Sequence, residues 1–226
     1  MTRPRSRSWS RLLAPAVWAA IALAVSAALW APMDTDPELS PLSLTVSDFA
    51  ALDRGGPIET GMALLGLASL TLSWQVARRL PVRGLPAVLL AVWGLGLVVA
   101  AVVPTDPLTT SLSGPAYVHR YASVTAFVAL PAAGLLLARR LGADDRRARS
   151  IRAAAWAALV GATAMACSAC LGGRELIGLA ERVLLGCEVA LLALLALYAR
   201  VPRAASAALP GPRRAVRAEA PAGPRP

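Results

Sequence analysis

The amino-acid sequence predicts an all-α fold: a polytopic membrane helix bundle with six transmembrane helices and both termini in the cytoplasm. The first observation behind this is composition, since 57% of the 226 residues are hydrophobic, 16% are charged and the mean hydropathy is +0.58. Soluble domains are about 45–50% apolar and about 25% charged, so much of this chain suits a lipid environment. The other two observations are a set of long apolar runs and an uneven distribution of arginine.

The apolar runs approach the length that crosses a bilayer. A hydrocarbon core of about 30 Å needs about 20 apolar residues in a helix, which satisfies its own backbone hydrogen bonds. The predicted spans are residues 13–30, 61–77, 85–103, 121–138, 153–171 and 183–199, within one transmembrane domain, residues 1–200. The second and sixth are short, so flanking residues such as Thr60 and Glu181 are expected to complete them. Pro131 is expected to kink the fourth span.

The first span also resembles a secretory signal peptide, because Arg3, Arg5, Arg7 and Arg11 precede its apolar run. The run is long for a signal peptide, and bulky side chains interrupt the small-residue pattern at 27–31. Five further spans follow it. We therefore expect an uncleaved signal anchor.

The arginines predict the orientation, because positive residues are retained on the cytoplasmic side. With the N-terminus inside, all but four of the 23 basic residues fall in cytoplasmic segments. The exceptions are Arg54, Arg120, Arg174 and Arg182. Most acidic residues fall on the opposite side, so we expect a multi-pass plasma-membrane protein with both termini cytoplasmic.

The net charge of +10 does not indicate a nucleic-acid-binding protein. The arginines are spread over four segments without a recognition module, and attraction to anionic lipid headgroups explains them more simply. Residues 201–226 form a basic tail rich in proline and alanine, which we expect to be disordered and cytoplasmic. The expected partners are therefore the bilayer and anionic headgroups at the cytoplasmic arginine clusters, with no nucleic acid and with protein partners left open.

The outer segments, about 31–60, 104–120 and 172–182, carry most of the unusual polar residues. Ser47 and Asp48 lie in the first of these segments, where they are suited to capping a short helix. The capped helix would lead into the second span.

His119, the only histidine, follows Asp106 in the second outer segment. A carboxylate beside an imidazole orients it and keeps it basic, as general acid–base catalysis and metal binding both require. His119 and Asp106 are therefore candidate metal ligands or catalytic groups. The alternative interpretation is that His119, Arg120 and Tyr121 only anchor a helix at the interface.

The sixth span carries Glu181 and Arg182 at its start and Glu188 further along. The first two residues fit compensating ion pairs. Glu188 lies about 10 Å deeper than Glu181, at 1.5 Å per helical residue, where an unpaired carboxylate is costly. An ionisable residue at that depth is a candidate functional group, and the alternative is a neutral acid hydrogen-bonded between helices.

Three cysteines leave their redox state open. Cys167 and Cys170 share a helix face three residues apart, so a redox pair, or a disulfide to Cys187, is conceivable. Reactive thiols usually lie at helix N-termini, whereas these two lie near a C-terminal end. Packing as small apolar side chains is therefore the favoured interpretation.

The order of the outer motifs resembles a known family. These motifs are Leu44-Thr45-Val46-Ser47-Asp48, Pro104-Thr105-Asp106, Gly114 followed by His119, and Glu181-Arg182. Together with six spans they resemble, over about residues 13–200, the six-helix membrane family catalogued as domain of unknown function number 998. The resemblance implies recurring positions at Ser47, Asp48, Asp106 and His119, and it implies no activity because none is established for the family.

Three functional hypotheses follow. Haem held by two histidines and a lysine Schiff base are excluded, because the chain has one histidine and no lysine. The first hypothesis is an outward cluster that binds a small molecule, a lipid headgroup or a metal, with candidate residues Ser47, Asp48, Asp106, His119, Glu181, Arg182 and Glu188. The second is a membrane-embedded enzyme that uses His119 with acidic partners, and the third is a non-catalytic accessory bundle.

Overall fold

The computed structural model describes residues 6–30, 39–79, 84–106, 112–141 and 145–199 of the chain, with side chains from residue 15 onward. In this part of the chain there are seven helices and no strand, so the predicted all-α fold is confirmed. The helices are α1 Ser6–Trp30, α2 Val46–Leu52, α3 Pro57–Arg79, α4 Leu85–Val102, α5 Gly114–Leu141, α6 Arg146–Cys170 and α7 Ile177–Ala199. The predicted tail, residues 201–226, lies outside the described residues.

Five helices, α3 to α7, are long and apolar enough to cross a membrane. The described side chains of α1 include a shorter apolar stretch, Pro15–Leu29. Helices of this length and composition are typical of a multi-pass membrane protein. Helix α2, with 7 residues, is too short to cross a membrane, and it lies in the connection between α1 and α3.

Helices that follow one another in the chain pack side by side, from α3 against α4 through to α6 against α7. The last helix, α7, occupies the centre, because it also contacts α1, α3 and α5. Leu184, Leu191 and Leu195 on α7 are buried in this interior. The bundle therefore has two distinct ends: the α2 end, which includes the starts of α3, α5 and α7, and the arginine end, with Arg139 and Arg146.

Two glycines allow α3 and α4 to approach closely. A Cβ atom on Gly66 would lie 2.7 Å from the carbonyl oxygen of Gly94, and one on Gly94 would lie 2.8 Å from that of Gly66. Small residues at such contacts let membrane helices pack backbone to backbone.

The helices at the α2 end begin earlier than the apolar runs suggest. Helix α5 begins at Gly114 instead of near residue 121, and α7 begins at Ile177 instead of near residue 183. His119 is therefore a residue of α5, and Glu181, which was expected to complete the sixth span, lies with Arg182 in the first two turns of α7. The physical reason is that apolar runs mark hydrocarbon thickness, whereas helix ends are set by local caps and contacts.

Candidate functional site

A capping box fixes the start of α2. Thr45 is the N-cap residue, and its hydroxyl oxygen accepts a hydrogen bond from the Asp48 N–H at 3.0 Å. The Asp48 carboxylate accepts in return from the Thr45 N–H at 2.9 Å and from the Thr45 hydroxyl at 2.7 Å. The predicted short helix is present, but Thr45 caps it and Ser47 lies inside its first turn. Reciprocal capping satisfies backbone donors that a helix start otherwise leaves open.

Asp48 also meets a cation from the connection between α6 and α7. The Arg174 Nη2 lies 3.1 Å from Asp48 Oδ2. The Asp48 side chain is 11% exposed and the Arg174 side chain is 45% exposed, so the pair sits at the rim of the bundle. Arg174 adopts a φ of 67°, an uncommon backbone conformation for a residue with a side chain.

The start of α7 is tied to the chain that precedes α2. Glu181, which is 2% exposed, accepts a hydrogen bond from the Val46 N–H through Oε2. The Leu179 N–H donates to the Leu42 carbonyl at 3.2 Å. Glu181 thus satisfies a free backbone donor at the start of α2.

Arg182 also binds the segment that precedes α2. Its Nη1 donates to the carbonyl oxygens of Pro41 at 2.6 Å, Leu44 at 2.8 Å and Gly178 at 3.0 Å. The guanidinium carbon lies 5.5 Å from the centre of the Phe49 ring, within the range of a cation–π contact. The Arg182 Nη2 is buried and has no hydrogen-bond partner among the described residues.

His119 is buried beneath α2, with 4% of its surface exposed. Its Nδ1 lies 3.0 Å from the carbonyl oxygen of Val103 at the end of α4. Its Nε2 lies 3.3 Å from the hydroxyl oxygen of Ser47 on α2. Three separate parts of the chain therefore meet at this ring.

The Val103 contact decides which ring nitrogen carries the proton when the imidazole is neutral. A carbonyl oxygen can only accept, so Nδ1 carries the proton and donates to Val103. Nε2 is then unprotonated and accepts from the Ser47 hydroxyl. A serine hydroxyl that donates to an oriented imidazole is the arrangement that activates a serine nucleophile.

Asp106 makes its hydrogen bonds elsewhere. Its carboxylate accepts from the Ser113 N–H at 2.6 Å and from the Ser113 hydroxyl at 3.0 Å, just before α5 begins. No hydrogen bond in the described part of the chain joins Asp106 to His119. The carbonyl of Val103 occupies the orienting position that the sequence suggested for Asp106.

The structure thus brings several of the candidate residues to one end of the bundle. Asp48, Glu181 and Arg182 all hold the segment at 40–48, while Ser47 joins the same segment to His119. Within the described ranges, no group of three or more His, Cys, Asp or Glu side chains could hold a metal ion.

Glu188 is separate from this cluster. Its side chain, on α7, is fully buried in the bundle, and its Oε2 accepts a hydrogen bond from the Trp93 Nε1–H of α4 at 3.3 Å. Its Oε1 has no hydrogen-bond partner among the described residues. The cysteines are all free, with Cys167 and Cys170 exposed on α6 and Cys187 partly buried on α7.

Sequence reasoning missed Thr45, Arg174, Val103 and Trp93 as partners. Two signals were available: Thr45 and Asp48 have capping-box spacing, and Arg174 is one of the few arginines outside the predicted cytoplasmic segments. Val103 acts through its backbone carbonyl, which no side-chain pattern reveals.

A bundle of long apolar helices with a polar cluster at one end defines the class: an α-helical protein of the multi-pass membrane type. A family model described as "Protein of unknown function (DUF998)" matches residues 13–198. The chain therefore belongs to the DUF998 family, as its outer motifs predicted. Neither the curated proteins nor the solved structures include a significant match to this chain.

Proposed function

We propose that the protein is a six-span plasma-membrane protein, with both termini cytoplasmic, whose outward-facing α2 end binds an amphipathic ester and hydrolyses it. Helix α1 is the first span in this proposal. Support for the orientation comes from the arginines, which collect at the end opposite α2 and attract anionic headgroups of the inner leaflet.

The hydrogen bond between Ser47 and His119 carries the enzymatic proposal. In the proposed reaction the Ser47 oxygen attacks the ester carbonyl while its proton passes to His119 Nε2. The leaving alcohol takes that proton, and an acyl group remains on Ser47. Water then attacks the acyl group, returns a proton to Ser47 through His119, and releases the carboxylic acid.

An apolar groove between α4 and α5 supports a substrate with a hydrocarbon chain. The groove has a volume of about 640 Å³ and a mostly apolar lining, to which Tyr117, Tyr121 and Thr125 add the only hydroxyl groups. Val99 lines it one helical turn before Val103, and Val118 lines it next to His119. A chain entering from the bilayer would therefore bring its polar end close to the Ser47–His119 pair.

The test is covalent labelling of the purified, full-length protein in detergent. A fluorophosphonate with a long alkyl chain loses fluoride to an activated serine, so it should attach to Ser47 and be found there by peptide mass spectrometry. His119→Gln should slow labelling by roughly 10²–10⁴-fold, the usual contribution of a general base. Ser47→Ala should abolish it.

Ser43→Ala is the matched control. Ser43 lies in the same segment, is exposed, and its hydroxyl only donates to the Ser40 carbonyl at 3.4 Å, so this variant should label like the parent protein. Labelling of Ser47→Ala at the parent rate, or an unmodified Ser47 in the parent protein, would rule out the hydrolase.

Binding without chemistry is the second candidate function, and the buried Arg182 Nη2 favours it. A guanidinium N–H without a partner suits a phosphate oxygen of a lipid headgroup. Arg174, half exposed at the same rim, would add a second positive charge. This candidate predicts that Ser47 stays unmodified by the fluorophosphonate, so the labelling experiment separates the two functions.

A further inference from the structure

Glu188 lies at the middle of a membrane-spanning helix. Helix α7 runs from Ile177 to Ala199, so eleven residues precede Glu188 and eleven follow it. At 1.5 Å per residue the carboxyl-bearing residue is about 16 Å from either end. None of its surface is exposed. Water at either end of the bundle therefore does not solvate this carboxyl group.

The carboxyl of Glu188 accepts a hydrogen bond from Trp93. Trp93 lies near the middle of α4, is 1% exposed, and donates its indole N–H to Glu188 Oε2 at 3.3 Å. An indole only donates, so it stabilises one oxygen and supplies no charge. The other oxygen, Oε1, has no partner in the described part of the chain.

Among the described side chains, no cation lies beside Glu188 to compensate an ionised carboxylate. Helix α4 has no charged residue, and the described side chains of α1 have none. The titratable and charged groups of the other packed helices lie towards their ends: Asp48 on α2; Glu59 and Arg78 on α3; Tyr117, His119, Arg120, Tyr121, Arg139 and Arg140 on α5; Arg146, Arg147, Arg149, Arg152, Cys167 and Cys170 on α6. On α7 itself, Glu181 and Arg182 are about two turns away towards the α2 end, Tyr198 is near the opposite end, and Cys187 is adjacent in sequence. An unpaired charge at this depth is strongly unfavourable, whereas a neutral acid is not.

We infer that Glu188 and Trp93 form a proton-binding site in the membrane interior. The carboxyl is held as the neutral acid, with Oε2 accepting from Trp93 and Oε1 carrying the proton. Because Oε1 has no acceptor among the described residues, its proton can pass to a small apolar reagent or ligand that enters this buried position from the bilayer. This site is independent of the Ser47–His119 pair and stands whether or not the protein is a hydrolase.

A hydrophobic carbodiimide is the probe for such a site. The acid proton moves to one nitrogen of the N=C=N group, the carboxyl oxygen bonds to the central carbon, and an acylisourea forms that rearranges to a stable acylurea. No other reactant is needed. With purified full-length protein in detergent, dicyclohexylcarbodiimide should modify Glu188, as located by peptide mass spectrometry, and the reaction should slow as the pH is raised. Glu188→Gln should incorporate at least ten-fold less label than the parent protein.

Glu175→Gln is the matched control, because Glu175 is exposed in the connection before α7. It should leave dicyclohexylcarbodiimide labelling unchanged, while a water-soluble carbodiimide should modify Glu175 and spare Glu188. Infrared spectroscopy gives a second readout: the spectrum of the parent protein should contain a C=O stretch of a protonated carboxylic acid that is absent from the spectrum of Glu188→Gln, so that it is seen in the difference between the two. An unmodified Glu188 in the parent protein, or the absence of that band, would overturn the inference.

Discussion

Asp48 combines two stabilising roles in one side chain. Its carboxylate accepts from the Thr45 backbone and hydroxyl, and it pairs with Arg174. Asp48→Ala removes the capping box as well as the ion pair. We therefore expect the free energy of unfolding to fall by about 1–2 kcal/mol, with most of the decrease due to the lost cap. The apparent unfolding temperature of the detergent-purified protein should fall.

Asp53→Ala provides the comparison, because Asp53 is exposed at the opposite end of α2. A surface substitution there is expected to change stability by less than about 0.5 kcal/mol. Equal melting temperatures for the two variants would mean that the capping box contributes nothing measurable.

The sequence identified ionisable residues at the α2 end and within α7 but not what they contact. Asp48, Glu181 and Glu188 stand out because charges are rare in apolar surroundings, and that signal is local. Their partners are a distant arginine, a backbone N–H and an indole. Such contacts depend on which helices are neighbours, and a single sequence does not show which helices pack together.

Gly178 is the contact point between α7 and the segment that precedes α2. A Cβ atom at this position would overlap the carbonyl oxygens of Pro41 and Leu44, both of which accept from Arg182. Gly178→Val should therefore displace the segment from α7. The free energy of unfolding should fall by about 1–3 kcal/mol, the usual range for overpacking. Limited proteolysis should show faster cleavage in the segment at 40–48.

Gly186 lies on the same helix with open space around its Cα atom. Gly186→Ala should keep the parent cleavage rate and should raise stability slightly, because alanine favours a helix by up to about 1 kcal/mol over glycine. Cleavage of Gly178→Val at the parent rate would contradict the proposed packing role.

Helix positions could be predicted from the apolar runs, but the helix ends could not. Each run marks the part of a helix that matches the hydrocarbon core, which is why α4, predicted as 85–103, is found at Leu85–Val102. Helix α5 extends further because Ser113, held by Asp106, accepts from the Ala116 N–H in its first turn. Polar residues and a proline there carry no hydropathy signal, although Pro115 in the first turn suits a helix start.

For the whole molecule, the all-helical architecture was predictable and the arrangement of the helices was not; five of the six predicted spans correspond to helices long and apolar enough to cross a membrane. The central position of α7 follows from its contacts with α1, α3, α5 and α6 and from its hydrogen bond to Trp93 of α4. Gly66 and Gly94 make the close contact between α3 and α4, yet glycines are frequent along the whole chain. A single sequence offers no means of choosing which glycines face each other.

The orientation of the whole bundle is testable with two single cysteines. In a background with Cys167, Cys170 and Cys187 changed to alanine, Asp53→Cys and Arg146→Cys place exposed thiols at opposite ends of the bundle.

A membrane-impermeant maleimide applied to intact cells should label Asp53→Cys and should reach Arg146→Cys only after permeabilisation. The reason is that arginine-rich connections stay on the cytoplasmic side during insertion, and Arg146 belongs to the richest connection in the described chain. The opposite pattern would put the Ser47–His119 pair on the cytoplasmic side. The proposed substrate would then have to come from the inner leaflet, because the groove between α4 and α5 lies beside Val118, the neighbour of His119, whichever way the bundle is inserted.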